Sequence, residues 1–186
     1  MALLPLLVVG CAASSTVTNV TPGTPLQPDR SLVVGRIELF KSGHQLHPDR
    51  PSPTGTGPIG GLSFHNLVTG EFTSYRINDP LGRFEIVLPP GRYGLGIQYY
   101  IYLSDTPARF EVPQAGQQYY VGTLRASFFA RSSLGGAWAT TFGGILPMKD
   151  TDFAVVDEWE WAQQHRIAPA SDGAPPERHV MVLRAQ

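Results

Sequence analysis

Cysteine is almost absent from this sequence: among its 186 residues there is one, Cys11. A single thiol excludes a disulfide within the chain and any metal site that needs several cysteines. Charged residues make up only 16% of the chain and the formal net charge is −1, which excludes the basic surface that nucleic-acid binding requires. No apolar run approaches the ~20 residues of a membrane-spanning helix. These absences leave a small protein with no nucleic-acid partner and no predicted cofactor.

What the chain has is glycine, proline and apolar residues. Twenty Gly, 17 Pro and 42% hydrophobic residues, with 10% aromatics, favour many short strands joined by turns around one core. The length suits one domain, with residues to spare for a tail or tether.

The N-terminus carries the most specific motif. Ala2 to Val9 is an apolar run of signal-peptide length, and Val8-Val9-Gly10-Cys11 resembles the lipobox of bacterial lipoproteins. This resemblance implies that residues 1–10 are a signal peptide and that Cys11 becomes an acylated N-terminus anchored in membrane lipid. Each buried acyl CH₂ contributes about 0.8 kcal/mol, so several chains hold a protein firmly. In lipoproteins, Asp at the position after the Cys is associated with inner-membrane retention. Ala12 and Ala13 therefore favour the outer membrane of the cell envelope. The motif does not distinguish its periplasmic face from its surface face.

Residues 11–30 are predicted to be the lipidated Cys11 and a flexible tether, because Ser, Thr, Gly and three prolines dominate them. Residues 31–186 are then the folded domain. Its clearest strand is Arg83 to Leu88, in which apolar Phe84, Ile86 and Leu88 alternate with polar residues. Pro90 and Gly91 predict a type II turn with Gly91 at positive φ, followed by an apolar row from Tyr93 to Leu103 on the neighbouring strand. Further strands are predicted at 32–40, 62–67, 72–77, 109–112 and 118–124.

This spacing predicts a mainly β protein, an antiparallel β-sandwich of Ig-like character. The stretch from Asp79 to Tyr93 (DPLGRFEIVLPPGRY) is similar to the D-x-x-G-x-F…L-P-P-G-x-Y signature of prealbumin-like, carboxypeptidase regulatory-like domains. The resemblance covers about residues 31–125 and implies a module for structure, adhesion or binding without catalysis.

One helix is predicted, at residues 157–167, with Asp157 as its N-cap and Glu160 as a capping-box partner. Trp161 is assigned to a staple with Val156. Val155, Trp159 and Ala162 form an inward stripe. We expect this stripe to dock over the outer sheet face that carries Tyr100 and Tyr102.

Three motifs have a stronger structural than functional interpretation. Gly55-x-Gly57-x-x-Gly60 matches a dinucleotide fingerprint but contains Pro58 and lacks the flanking strand and helix. His44-x-x-His47-x-Asp49 lacks a third histidine and is interpreted as a solvated loop, so no metal site is predicted. Ser63 and His65 share a strand face without a nucleophile elbow, and are interpreted as ordinary strand surface.

The sequence therefore predicts a lipid-anchored envelope protein that acts as a non-enzymatic structural or interaction module. The alternative is a glycan- or peptide-binding module, with Tyr100, Tyr102 and Trp138 as candidate ligand-binding residues on an aromatic sheet face. A hydrolase ranks third. Besides membrane lipid at Cys11, the predicted partner is an envelope protein or a glycan.

Overall fold

The computed structural model describes residues 15–17, 27–41, 43–47, 60–99, 102–128, 146–147, 151–164 and 176–184. Within them the chain is almost entirely β, with one short helix. The elements are β1 Ser15–Val17, β2 Ser31–Lys41, β3 His44–Leu46, β4 Gly60–Asn66, β5 Phe72–Arg76, β6 Arg83–Leu88, β7 Gly91–Tyr99, β8 Tyr102–Leu103, β9 Ala108–Val112, β10 Gln118–Phe128, β11 Leu146–Pro147, β12 Thr151–Val156, α1 Trp159–Gln164, β13 Glu177–Arg178 and β14 Val182–Leu183.

The described strands form two sheets. In the first sheet the order is β1-β5-β4-β7-β8-β11, and β9 pairs with β7 on one side and β14 on the other. In the second sheet the order is β12-β10-β2-β3, with β6 beside β2 and β13 beside β10. One buried cluster contains residues of both sheets, so the apolar faces of the two sheets pack on each other. The predicted β-sandwich is confirmed.

The alternation in β6 places its apolar residues in this core. Phe84 and Ile86 are fully buried and Leu88 is 3% exposed. Tyr93, Leu95 and Ile97, on β7, belong to the same cluster. The predicted burial of these side chains together is therefore confirmed.

Two features of the connectivity differ from the prediction. β6 and β7 belong to different sheets, so the β7 row faces β6 across the core and is not its neighbour within a sheet. Gly91 is accordingly not at positive φ; it is the first residue of β7, and the predicted type II turn is wrong at this position. The sheets are also not purely antiparallel, since β2 and β10 run parallel at the centre of the second sheet. Long connections between strands allow such pairing.

The signature from Asp79 to Tyr93 has a structural explanation. Asp79 Oδ1 accepts hydrogen bonds from the backbone N–H groups of Leu81 (2.8 Å) and Arg83 (3.3 Å). Gly82 follows at φ +75°, where a Cβ would lie 2.1 Å from the carbonyl oxygen of Ile37. This turn redirects the chain from β5 in the first sheet to β6 in the second.

The end of the signature fixes the opposite turn. The Tyr93 hydroxyl donates to the Pro89 carbonyl at 2.7 Å, which ties the start of β7 to the end of β6. The conformationally demanding residues of the signature therefore build the two turns that flank β6.

The helix docks elsewhere than predicted, and residues 165–167 of its predicted range lie outside the described residues. α1 ends at Gln164 within the described part, and the Asp157 carboxylate accepts a hydrogen bond from the Trp159 N–H at 3.2 Å, in keeping with an N-terminal cap. α1 does not cover the first sheet, to which β8 with Tyr102 belongs, and Tyr100 lies outside the described residues. α1 packs on the outer face of the second sheet, which we call the helix face. The core of this contact is Leu32, Val34, Tyr120 and Ala162, flanked by Val87, Trp159, Trp161 and Val180.

The inward stripe is corrected as well. Val155 packs against the main core instead of joining the helix contact. Trp161, assigned to a staple away from the docked surface, lies against the helix face with its ring 4.2 Å from the Arg36 guanidinium. The tryptophans cover adjoining parts of one wide face, Trp159 over Tyr120 and Trp161 over Arg36.

Within the segment predicted as a tether, Ser15–Val17 form β1, which runs parallel to β5 at the edge of the first sheet. Cys11 and residues 1–10 lie outside the described residues. Among the residues that are described, the helix found is too short to cross a bilayer.

Candidate functional site

Four chain segments meet at one end of the sandwich, which we call the hairpin end. They are the entry to β2 (27–30), the β4–β5 turn (67–71), the β6–β7 turn (89–90) and the β9–β10 turn (113–117). Backbone hydrogen bonds join them: Leu67 N donates to Arg92 O at 2.8 Å, Leu32 N to Gln117 O at 3.0 Å, and Gly116 N to Arg30 O at 2.8 Å. The hairpin end is therefore one connected surface held by main-chain contacts.

The β4–β5 turn projects apolar side chains from this surface. Leu67 is 42% exposed and Val68 is 68% exposed. The Asn66 side-chain oxygen accepts from the N–H groups of Val68 (2.9 Å) and Thr69 (3.1 Å), and Gly70, at φ +76°, donates to the Asn66 carbonyl. The turn geometry comes from Asn66 and Gly70, so it does not require apolar residues between them.

A cleft of about 160 Å³ opens beside this turn. Its walls come from both sheets, and eight of its ten lining residues are uncharged. It is lined by Arg30, Phe64, Asn66, Glu71, Phe72, Thr73, Val87, Leu88, Pro89 and Tyr93.

Arg30 is the cation of this cleft. Its Nε is buried and has no hydrogen-bond partner among the described residues. Tyr93, by contrast, is committed to the Pro89 carbonyl, and burial raises the pKa of its hydroxyl to about 12. At neutral pH the cleft therefore presents a guanidinium beside a protonated phenol that is already bonded to the Pro89 carbonyl, with the Glu71 side chain also in its wall.

The helix face contains the densest charge cluster of the described residues. Arg36 Nη2 lies 2.9 Å from Glu38 Oε1, and Arg36 Nη1 lies 3.1 Å from Glu158 Oε2. Arg125 Nε donates to Glu38 Oε2 at 2.7 Å, and Thr123 donates to Glu158 Oε2 at 2.7 Å. Two arginines and two glutamates thus form a neutral network in which each charge has an opposite partner.

This network is joined to the helix docking. The Tyr120 hydroxyl accepts from the Glu158 N–H at 3.1 Å, and burial raises the pKa of Tyr120 to about 12. The ring of Tyr120 lies 5.2 Å from that of Trp159. The charged groups therefore fix the start of α1 on the sheet, which is a structural role.

Of the residues predicted to act in function, Cys11, Tyr100 and Trp138 lie outside the described residues. Tyr102 is in β8, and its backbone alone is described. The two tyrosines were predicted to share a face of the strand with Gly94 and Gly96. In the structure that face of β7 is covered at these two glycines. A Cβ on Gly94 would lie 2.8 Å from Thr106, and one on Gly96 would lie 2.4 Å from Ser63 Oγ. The segment 104–107 therefore packs closely over this part of the first sheet.

Ser63 lies under that segment and is 2% exposed, so its interpretation as ordinary strand surface is wrong. Its hydroxyl has no hydrogen-bond partner in the described part of the chain. His65 is on the same face, with its ring 4.7 Å from that of Phe72, and burial lowers its pKa. The two side chains are not joined by a hydrogen bond, so the pair lacks the contact between nucleophile and base.

The histidine loop is partly a strand. His44 is in β3, opposite Lys41 of β2, and His47 follows the end of β3. Asp49 and residues 55–57 of the glycine motif lie outside the described residues. Among the residues that are described, no group of three His, Cys, Asp or Glu is arranged to hold a metal ion.

Searches of protein-family models, of curated proteins and of solved structures find no match to this chain. The resemblances to the lipobox and to prealbumin-like domains therefore stay predictions from sequence.

The hairpin end was not predicted from the sequence. The signal available was Leu67-Val68 between Asn66 and Thr69-Gly70, since turns of this kind rarely need two adjacent apolar residues. Arg30 gave no signal, because its unpaired buried nitrogen is visible only once the two sheets meet around it.

Proposed function

We propose that this protein is a lipid-anchored protein of the bacterial cell envelope, attached to the outer membrane through acylated Cys11, and that its sandwich is a non-enzymatic structural or interaction module. The observation that carries the proposal is the position of β1. Ser15 is four residues after Cys11, and it pairs with Thr73 at the edge of the first sheet. An acylated Cys11 would thus hold the folded domain directly at a membrane surface.

The packing of the helix face supports a module without catalysis. Its arginines and glutamates pair with one another, and its tryptophans pack on the sheet. Side chains that are paired or packed in this way stabilise the fold. The proposed partner, beyond membrane lipid, is another envelope protein.

Cys11→Ser tests the anchor, with Ser14→Ala as a matched control beside the motif. In a Gram-negative host, we expect the parent chain and Ser14→Ala to enter the detergent phase and to carry acyl mass on the peptide that starts at residue 11. Cys11→Ser should be released or remain unprocessed. An unmodified Cys11 in soluble, unprocessed parent protein would refute the proposal.

The alternative is a glycan- or peptide-binding module that uses Tyr100, Tyr102 and Trp138. The two tryptophans described in the structure pack on the helix face, and segment 104–107 covers Gly94 and Gly96. A glycan- or peptide-binding surface would therefore depend on Tyr100, Tyr102 and Trp138, and not on the two tryptophans of the helix face. Saturable quenching of tryptophan fluorescence by an envelope glycan, lost in Trp138→Ala, would favour this alternative over the structural module.

A further inference from the structure

We propose that the hairpin end is the membrane-facing end of the domain, and that Leu67 and Val68 insert into the lipid surface in which Cys11 is anchored. This inference rests on the proposed acylation of Cys11 and adds an orientation and a second contact to it. The partner is the bilayer interface itself, recognised through apolar contact.

The β4–β5 turn is well ordered and yet exposes apolar side chains. Leu67 and Val68 are among the most exposed large apolar residues of the described chain. Asn66 receives two backbone N–H groups and Leu67 N is bonded to Arg92 O, so the turn is held in place while its apolar side chains face outward. A preorganised apolar tip loses little conformational entropy when it enters an interface.

The direction of β1 limits which end of the sandwich Cys11 can reach. β1 runs parallel to β5, with Ser15 opposite Thr73 and Val17 opposite Tyr75. β5 leads away from the hairpin turn, so β1 begins at its end nearer to that turn. Four residues span at most about 14 Å, at 3.3–3.6 Å each.

The anchor and the apolar tip are thus restricted to the same end of the sandwich. A domain attached there by acyl chains would hold Leu67 and Val68 within reach of the interface, where apolar side chains gain free energy on leaving water.

The charges around the tip determine whether binding depends on anionic lipid headgroups. The charged side chains near the tip are two basic and three acidic ones, so attraction to anionic headgroups is weak. They are Asp29, Arg30, Glu71, Arg92 and Glu111. The contact should therefore form on neutral phosphatidylcholine and persist at high salt.

The test uses the blocked thiol of an acylated Cys11. In mature protein an engineered cysteine is then the sole thiol, and a fluorophore can be attached at Leu67→Cys. The matched control is Leu81→Cys, in the turn at the other end of β6, because Leu67 is 42% exposed and Leu81 is 41% exposed. Both are reconstituted in phosphatidylcholine vesicles that carry a nitroxide on the upper acyl chain.

We expect quenching several-fold stronger at position 67 than at position 81. Adding Val68→Asp should reduce the quenching at position 67, whereas Val182→Asp should leave it unchanged; Val68 is 68% exposed and Val182, on β14, is 64% exposed.

Equal quenching at positions 67 and 81, with a parent chain that takes no label, would overturn the orientation and leave the acylated anchor standing. A parent chain that takes label at Cys11 would show a free thiol, and would overturn the anchor and the orientation together.

Discussion

Glu38 provides a stringent test of the helix face. Its side chain is 8% exposed and is shared between Arg36, at 2.9 Å, and Arg125, at 2.6 Å. Glu38→Ala would leave Arg36, itself 11% exposed, without its nearest carboxylate. Breaking a buried ion pair by removing one partner costs about 3–5 kcal/mol. Because Arg36 also donates to the Leu81 carbonyl and to Glu158, we expect a loss of about 2–4 kcal/mol, at or just below that range.

Urea unfolding of the full chain, followed by tryptophan fluorescence, measures this loss as a lower midpoint. The matched control is Arg178→Ala, which removes the pair with Asp157. Its side chains are 54% and 28% exposed, so we expect a change of about 0–1 kcal/mol. The double variant Arg36→Met with Glu38→Leu should recover much of the loss, because apolar side chains tolerate this site better than a single unpaired charge. A cost for Glu38→Ala below about 0.5 kcal/mol, the size of an ordinary surface substitution, would refute the buried network.

Two further predictions concern a turn and a half-buried acid. Gly82→Ala should cost at least about 1 kcal/mol more than Gly70→Ala: both residues are at φ +75° or +76°, but only at Gly82 would a Cβ meet the Ile37 carbonyl, at 2.1 Å. Equal unfolding midpoints for the two variants would contradict the close approach of that turn to β2. Burial raises the pKa of Glu85 above its usual 4.5, so ionising it costs folding free energy, and stability falls as pH rises through the interval between the unfolded and folded values. Glu85→Gln should therefore unfold at higher urea than the parent at pH 7, with the gain disappearing towards pH 4; a gain that is the same at both pH values would refute this assignment.

The sequence predicted best where a local pattern has one physical solution. Phe84, Ile86 and Leu88 alternate with polar residues, and an extended chain can bury such a pattern only by turning one face to the core. The stretch from Asp79 to Gly82 carries residues that turns require, and Gly82 supplies the positive φ that the chain needs there.

The partner of each face could not be predicted from local pattern. The apolar rows of β6 and β7 show that both strands face the core, but not that they lie in different sheets, because either arrangement buries the same side chains. Gly91 was misassigned for the same reason: a tight hairpin needs a left-handed residue, whereas a crossing between sheets allowed Gly91 to start β7 in an extended conformation.

The helix prediction failed through its geometry. Trp159 and Trp161 are about 200° apart around a helix, which suggested that they could not share a docked surface. In a six-residue helix lying on a wide sheet, their long side chains reach down on both sides, one to Tyr120 and the other to Arg36. Arg36 and Glu38 are polar residues within a strand, and their role is visible only when Arg125 and Glu158 join them from elsewhere in the chain.

The topology also indicates where a partner could approach. The helix packs on the outer face of the second sheet, and segment 104–107 packs over part of the first, so parts of both broad faces are already in use. The described strands that border residues 48–59 and 129–145 have those borders at the end opposite the hairpin, because β2, β7 and β10 all run away from the hairpin end. If the hairpin end rests on the membrane, the end of β10 and the start of β4 lie at the end of the sandwich away from it. Trp138 belongs to the second of these stretches and lies outside the described residues. A binding module and a membrane-oriented module are then compatible, and the labels at positions 67 and 81 would decide the orientation without deciding the ligand.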